Sequence, residues 1–236
     1  MTLKLQEHNQ PELHLPAEIS DIPDSILNLW DGEGTTKIPS DLQDELDDGS
    51  CVLRKANTSL EKMFSNVVVE GNETINEGDV FRIAQVAVTN PFCNHPELGL
   101  LRMRERDRYY LYSKKIQERH KHMYGACAEK MKTGEDLEMA LKRGMFEELG
   151  IYGFDLEIMD TETRVETKPA HVSFPKLVTV YNQYIALINL PLKLYKPYYY
   201  EYKSDRSGLK RITTFDWTNA TEKESNIYYN LLNASN

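Results

Sequence analysis

One stretch of the chain, residues 134–151, has the complete pattern of a capped amphipathic helix and restricts the fold more than any other feature. Thr133 or Asp136 can cap its start, and Gly150 stands where a left-handed residue often ends a helix. The apolar positions recur at helical spacing and share one face: Leu137, Ala140, Leu141 and Met145. Such a face needs another layer to cover it, so the pattern predicts a helix packed on a sheet.

Alternating and β-branched residues predict strands on both sides of this helix. The predicted strands cover residues 81–89, 98–115, 177–190, 198–203 and 211–217. Further helices are predicted at residues 60–64 and 221–234. Strands that lead into a helix, more strands and a closing helix predict a mixed α/β body that forms one domain, residues 53–236.

The first 50 residues carry most of the negative charge of the chain, whose net charge is -9. They contain twelve acidic and two basic residues, whereas the remainder is nearly neutral. This composition predicts an acidic, partly disordered extension over residues 1–52, in which residues 22–30 form a short apolar cluster that could dock on the body or on a partner. An acidic extension repels the phosphate backbone, which argues against indiscriminate DNA binding.

Several features favour a cytoplasmic or other intracellular protein without a membrane span. No apolar run approaches the roughly 18 residues that a transmembrane helix needs. The N-terminus lacks the basic start and apolar stretch of a secretory signal. The three cysteines, Cys51, Cys93 and Cys127, are too few and too scattered for a disulfide framework or a zinc site.

The predicted helix also carries the best candidate for chemistry. Glu147 and Glu148 are adjacent, and Arg143 lies four residues before Glu147, within reach of an ion pair. Neighbouring carboxylates backed by an arginine can hold Mg²⁺, which prefers oxygen ligands and often also takes substrate phosphate. The alternative is an acidic helix face exposed to solvent.

This stretch resembles the signature of the Nudix hydrolases. That signature runs Gly, five residues, Glu, seven residues, then Arg-Glu-aliphatic-x-Glu-Glu-x-Gly-aliphatic. Glu135, Arg143, Met145, Glu147, Glu148, Gly150 and Ile151 all fall in its register. The resemblance covers about 20 residues directly and implies a Nudix-like α/β/α sandwich with a mixed central sheet.

The chain departs from the signature at two positions. The first glycine of the signature would fall at Glu129, unless Gly125 supplies it and the following loop is longer. The glutamate that should follow Arg143 is replaced by Gly144, although glycine inside a helix costs about 0.5–1 kcal/mol relative to alanine. Either close packing at Gly144 or a relaxed catalytic demand would explain it.

What the resemblance implies is a hydrolase that cleaves a diphosphate linkage in a nucleoside diphosphate derivative with Mg²⁺, or Mn²⁺ in its place. The catalytic residues would be Arg143, Glu147 and Glu148, and the metal ligands Glu147, Glu148 and Glu201. Since the signature glutamate is missing, a base would come from elsewhere, and the candidates are Glu201, Glu118, Glu129, His120 and His122.

A second function stays open: a catalytically impaired Nudix-like module that binds a nucleotide or a protein partner, the latter through the acidic extension. Many Nudix proteins dimerise, so a homodimer is also compatible with the resemblance. The alternation of Arg102, Arg104, Arg106 and Arg108 predicts four arginines on one side of a strand. Arg102 and Arg104 are the candidates for binding substrate phosphate, although acidic neighbours make a salt-bridged sheet face an equal alternative.

Overall fold

The protein is a mixed α/β fold with a large mixed sheet and few helices. The computed structural model describes residues 19–21, 40–64, 69–71, 73–118, 125–168, 177–204 and 210–234. Its strands are β1 (Ile19–Asp21), β2 (Val52–Ala56), β3 (Val69–Glu70), β4 (Val80–His95), β5 (Gly99–Tyr110), β6 (Lys115–Glu118), β7 (Cys127–Lys130), β8 (Glu157–Lys168), β9 (Thr179–Asn189), β10 (Tyr199–Ser204) and β11 (Lys210–Asn219). Its helices are α1 (Ser40–Asp47), α2 (Leu60–Met63), α3 (Leu137–Leu149) and α4 (Glu222–Ala234), with a 3-10 turn at Leu192–Leu194.

The described residues fall into two compact units. Unit 1 takes its residues from Met1–Val86, Lys130–Leu137 and Thr163–Gln183, and unit 2 takes Ala87–Glu129, Glu138–Glu162 and Tyr184–Asn236. Most strand pairs with a defined register are antiparallel, such as β5 with β11, whereas β3 pairs with β8 in parallel. This combination makes the sheet mixed.

The described residues of unit 1 include two apolar clusters. The first surrounds Phe81 and Ile83 on β4, and the second surrounds Leu42 on α1. Leu42 is completely buried, α1 and β2 belong to the same unit as the first part of β4, and β1 pairs with β2, so the acidic segment 1–52 contributes folded structure at Ile19–Asp21 and from residue 40 onward. The apolar cluster predicted at residues 22–30 lies outside the described residues.

In unit 2 the sheet runs in the order β10-β11-β5, followed by parts of β4, β9 and β8, and β6 pairs with β5. Helix α4 packs on one side, where Tyr228 contacts Phe92 and Leu100. Cross-strand partners share a face of a sheet, and Phe92 is the partner of Arg102. The face that carries Arg102 is therefore the one that α4 covers.

A β-bulge at Arg106 changes the side to which the arginines of β5 point. Thr214 is opposite Asp107 and Phe215 is opposite Glu105, so Arg106 is the extra residue. Beyond the bulge, Arg108 pairs with the buried Glu105. The prediction that four arginines project to one side is therefore wrong for Arg108.

Among the residues that the structure describes, no helix has the length and apolar character that crossing a membrane would require.

Candidate active site

Three carboxylates of unit 2 surround the ammonium group of Lys203. The Lys203 Nζ atom lies 2.8 Å from Glu201 Oε1, 3.2 Å from Glu148 Oε1 and 3.9 Å from Glu129 Oε1. The three acids come from β10, α3 and β7, and their side chains are 5%, 11% and 17% exposed. We call these three acids with Lys203 the carboxylate cluster.

Strand alternation brings Glu201 and Lys203 to one face of β10. Tyr200, which precedes Glu201, and Tyr202, which lies between Glu201 and Lys203, are exposed on the opposite face. On the neighbouring strand β11, Thr213 is the cross-strand partner of Glu201, and Arg211 is the partner of Lys203. Thr218, the partner of Arg102, is five positions from Thr213 on β11, and residues an odd number of positions apart point to opposite faces of a strand. The carboxylate cluster therefore lies on the opposite sheet face from Arg102.

Helix α3 brings Glu148 to this face because its apolar side is buried there. Ala140, Leu141, Met145 and Leu149 are buried, and Gly144 lies among them. Gly144 and Glu148 are four residues apart and so share a helix face. The helix ends at Gly150, whose φ of +64° is the left-handed conformation predicted for that position.

Gly144 lies directly against Glu129. A β-carbon at position 144 would be 2.7 Å from Glu129 Cγ and 3.4 Å from Glu129 Cβ. Real β-carbons do not approach a neighbour to 2.7 Å, so any larger residue at 144 would force Glu129 to move. Close packing, one of the two explanations open from the sequence, therefore accounts for the glycine in the middle of α3.

Two arginines extend the cluster. Arg143 Nη1 lies 3.1 Å from Glu129 Oε2 and 3.5 Å from Glu147 Oε2. Arg211 Nη2 lies 4.0 Å from Glu201 Oε2. With Lys203 these are three positive charges against four carboxylates when all four are ionised, so the site has an excess of negative charge.

The protonation of Glu148 reflects this excess. Burial raises the pKa of the Glu148 carboxyl to about 8, and repulsion from Glu201 and Glu129 adds to it, while Lys203 acts in the opposite direction. Burial alone would lower the pKa of the Lys203 ammonium, but the attraction of Glu148 and Glu201 outweighs burial and raises it. At neutral pH the lysine is therefore charged, and Glu148 can hold a proton.

Cys127 belongs to the same site, although no sequence pattern indicated a role for it. Burial, together with a hydrogen bond to Glu148 and the negative charge nearby, raises the pKa of the Cys127 thiol well above its usual value. The side chain therefore remains a neutral thiol.

In the described part of the chain, Thr213 Oγ1 and Arg211 Nε are buried without a hydrogen-bond partner, and Thr213 is 2% exposed.

The residues predicted for the site divide between this cluster and other places. Glu148 and Glu201 meet at Lys203, whereas Glu147 is half-exposed and contacts Arg143. On the opposite sheet face, Arg102 pairs with Glu224, and Arg104 forms two hydrogen bonds with Asp216, of 2.7 and 3.3 Å.

Of the candidate bases, Glu129 and Glu201 lie in the carboxylate cluster. Glu118 is exposed at the end of β6, and His120 and His122 lie outside the described residues. Sequence reasoning missed Lys203, Arg211, Thr213 and Cys127. The alternation of residues 198–203, which places Lys203 on the same face as Glu201, was the signal available for the lysine.

The donor atoms of the cluster are carboxylate oxygens, the ligand type that Mg²⁺ prefers. Across the described ranges, however, no group of three or more His, Cys, Asp or Glu side chains is already arranged to hold a metal ion. The ammonium of Lys203 lies between the carboxylates instead. The donor chemistry thus fits Mg²⁺ only if Lys203 withdraws, and its side chain is 45% exposed, which gives it access to water.

A cluster of the opposite charge balance lies in unit 1. Glu45 on α1 forms ion pairs with Arg82 on β4 and with Lys130. The Arg82 side chain is buried and also donates a hydrogen bond to Thr179 Oγ1. Cys51 lies next to Arg82, and burial raises the pKa of its thiol although Arg82 acts in the opposite direction.

Comparison of the chain with protein-family models, with curated proteins and with solved structures gave no match. The resemblance to the Nudix signature therefore depends on the residues of α3 and its flanks alone.

Proposed function

We propose that unit 2 is a Nudix-like α/β/α sandwich that hydrolyses a diphosphate linkage in a nucleoside diphosphate derivative with Mg²⁺, or Mn²⁺ in its place. The observation that carries this proposal is the convergence of three largely buried carboxylates, from β7, α3 and β10, on one cation. A largely buried acid with a raised pKa, here Glu148, and unpartnered polar atoms beside it are typical of functional sites rather than of stabilising ones. The contacts of α3 and α4 with opposite sheet faces support the sandwich.

The chain supplies the parts that such a reaction needs. Glu148 and Glu201 would hold the metal ion, Glu147 is the adjacent acid of the signature on the same turn of α3, and Arg143 holds Glu147 in place. The bound metal ion would neutralise phosphate charge and lower the pKa of a water molecule. Lys203 has to leave the carboxylates first, so the affinity for the divalent cation is expected to be weak.

A second candidate is favoured by the position of Lys203. If its ammonium permanently takes the place of a metal ion, unit 2 is a catalytically impaired Nudix-like module. An acid-rich cluster without a metal ion repels a diphosphate, so the ligand of such a module would be a protein rather than a nucleotide. The acidic segment 1–52 would contribute to that contact, and a homodimer is one form that it could take. Both candidates are compatible with a cytoplasmic or other intracellular location.

Lys203 provides the test that separates the two functions. Binding of Mn²⁺, measured by electron paramagnetic resonance, should be at least about tenfold tighter in Lys203→Met than in the wild type, because a positive charge between three carboxylates has been removed. Lys203→Arg, which keeps the charge, is the matched control and should bind no more tightly than the wild type.

Hydrolysis completes the test. We expect the wild type to release product from one member of a panel of dinucleotides and nucleoside diphosphate sugars with Mg²⁺, and Glu148→Gln to be inactive. Absence of Mn²⁺ binding in both the wild type and Lys203→Met would exclude the hydrolase and leave the protein-binding module.

A further inference from the structure

The chain has exchanged the residues of two signature positions. In register with Arg143, the signature has glycine where this chain has Glu129, and glutamate where it has Gly144. The two departures look unrelated in the sequence, because they are 15 positions apart. In the structure the two residues touch.

The contact is specific to this pair of residues. Glu129 Cγ lies 2.7 Å from the point where a β-carbon of residue 144 would be, and Gly144 is buried. The stem of Glu129 therefore occupies the space into which a side chain at position 144 would extend. Neither a larger residue at 144 nor the loss of Glu129 leaves this packing intact.

The carboxylate of Glu129 also points into the cluster. It accepts a hydrogen bond of 3.1 Å from Arg143 and lies 3.9 Å from Lys203 Nζ. Arg143 thus fixes Glu129 as well as Glu147 and acts as a positioning residue. The exposed Glu147, by contrast, does not contact Lys203 in the described ion pairs.

We infer that Glu129 replaces the carboxylate that α3 lacks at Gly144, so that the third acid of the cation site has moved from the helix to strand β7. As a ligand assignment for a divalent cation, this rests on the proposed function. A second feature of the same site points to a ligand: the hydroxyl of Thr213, which is buried, has no hydrogen-bond partner in the described residues and is the cross-strand neighbour of Glu201.

The experiment is a residue swap. Four proteins are compared: the wild type, Glu129→Gly, Gly144→Glu and the double variant that carries both changes. Thermal unfolding reports the packing, and Mn²⁺ titration by electron paramagnetic resonance reports the cation site. Glu138→Gln, an exposed acid of the same helix that pairs with Lys142, is the control and should leave both unchanged.

We expect Gly144→Glu alone to lower the melting temperature by several degrees, because its side chain meets Glu129. Glu129→Gly alone should weaken Mn²⁺ binding by about tenfold or more. The double variant should recover both properties in large part, since the acid then returns to the helix and glycine makes room for it. If Gly144→Glu does not fold, Gly144→Ala in the two backgrounds measures the same coupling with a smaller side chain.

Two results would overturn the inference. In the first, the effects of the two changes on the melting temperature simply add, so that the residues are not coupled. In the second, the wild type binds Mn²⁺ but the double variant binds as poorly as Glu129→Gly. If the proposed function itself is wrong, neither the wild type nor any variant binds Mn²⁺, and Glu129 then has no role as a metal ligand. In that case the melting temperatures still show whether the two substitutions together restore the packing that each one alone disturbs.

Discussion

The ion-pair clusters of unit 1 and unit 2 have opposite charge balances. In unit 1 a single carboxylate, Glu45, is shared by Arg82 and Lys130. In unit 2 three carboxylates share Lys203, and one of them has a pKa of about 8. A buried cation that is paired with a carboxylate is typical of a structural contact. An excess of buried carboxylates, by contrast, causes electrostatic repulsion in the folded state, and binding of a positively charged ligand can reduce it. The contrast teaches that burial of charge alone does not identify a functional site, and that the sign of the imbalance does.

The largest effect should come from removal of the single acid in unit 1. Glu45→Gln removes the carboxylate that balances the buried guanidinium charge of Arg82, and we expect the free energy of unfolding to fall by about 3–5 kcal/mol in urea unfolding experiments. Asp47→Asn, at an exposed position of the same helix, is the control and should change it by no more than about 0.5 kcal/mol. Equal effects of the two variants would show that the cluster of unit 1 does not stabilise the fold.

Removal of an acid from the carboxylate cluster of unit 2 should raise the free energy of unfolding rather than lower it, and the size of this gain should depend on pH. The pKa of Glu148 is raised from 4.5 to about 8, so the folded state holds this proton more tightly than the unfolded state does. Its contribution to stability is complete below pH 4.5 and is lost as the pH rises through 8. We expect Glu148→Gln to remove about 2–4 kcal/mol of this decline in unfolding experiments between pH 5 and 9. Glu147→Gln is the control, and an unchanged decline in Glu148→Gln would refute the assignment.

The two clusters should also differ in the reactivity of their cysteines. Burial raises the pKa of both thiols, but the positive charge of Arg82 offsets part of this rise at Cys51, whereas nearby carboxylates add to it at Cys127. Under limiting iodoacetamide at pH 9, we expect Cys51 to be modified about tenfold faster than Cys127, as measured by peptide mass spectrometry. Faster modification of Cys127 would mean that the negative charge near it is already compensated.

The smallest effect is expected on the sheet face opposite the cluster. Arg104→Gln breaks a partly buried pair with Asp216 and should lower the free energy of unfolding by about 0.5–1 kcal/mol, without changing Mn²⁺ affinity. Arg106→Gln, at the more exposed bulge, should change it less. A selective rise in KM for a hydrolysed substrate in Arg104→Gln would instead support the predicted role in substrate binding.

Much of the secondary structure could be predicted from local patterns. The helical pattern at residues 134–151 corresponds to α3, and its end at Gly150 is confirmed by the positive φ of that residue. The strands β4, β5, β9, β10 and β11 and the helices α2 and α4 are confirmed as well, with shifted ends. These elements have strong periodicity and turn residues at their boundaries, so the information is local.

The parts that could not be predicted depend on contacts between distant residues. The approach of Glu129 to Gly144 and the position of Lys203 between three acids come from the packing of β7, α3 and β10, which no spacing in the sequence reveals. Strand β8 was missed because charged residues interrupt its alternation. In α4 the aromatic Tyr228 is buried, whereas the neighbouring aliphatic Ile227 is 38% exposed.

The bulge at Arg106 has a consequence for how this protein can change over evolutionary time. The extra residue puts Arg108 on the same side as Glu105, although the two are three positions apart. Deletion of Arg106 would leave a regular strand in which Glu105 and Arg108 are two positions apart and still share a face, whereas a regular strand that kept every residue would turn Arg108 outward and strip the buried Glu105 of its counter-ion. Relatives of this chain should therefore either keep the bulge or lack one residue at this point.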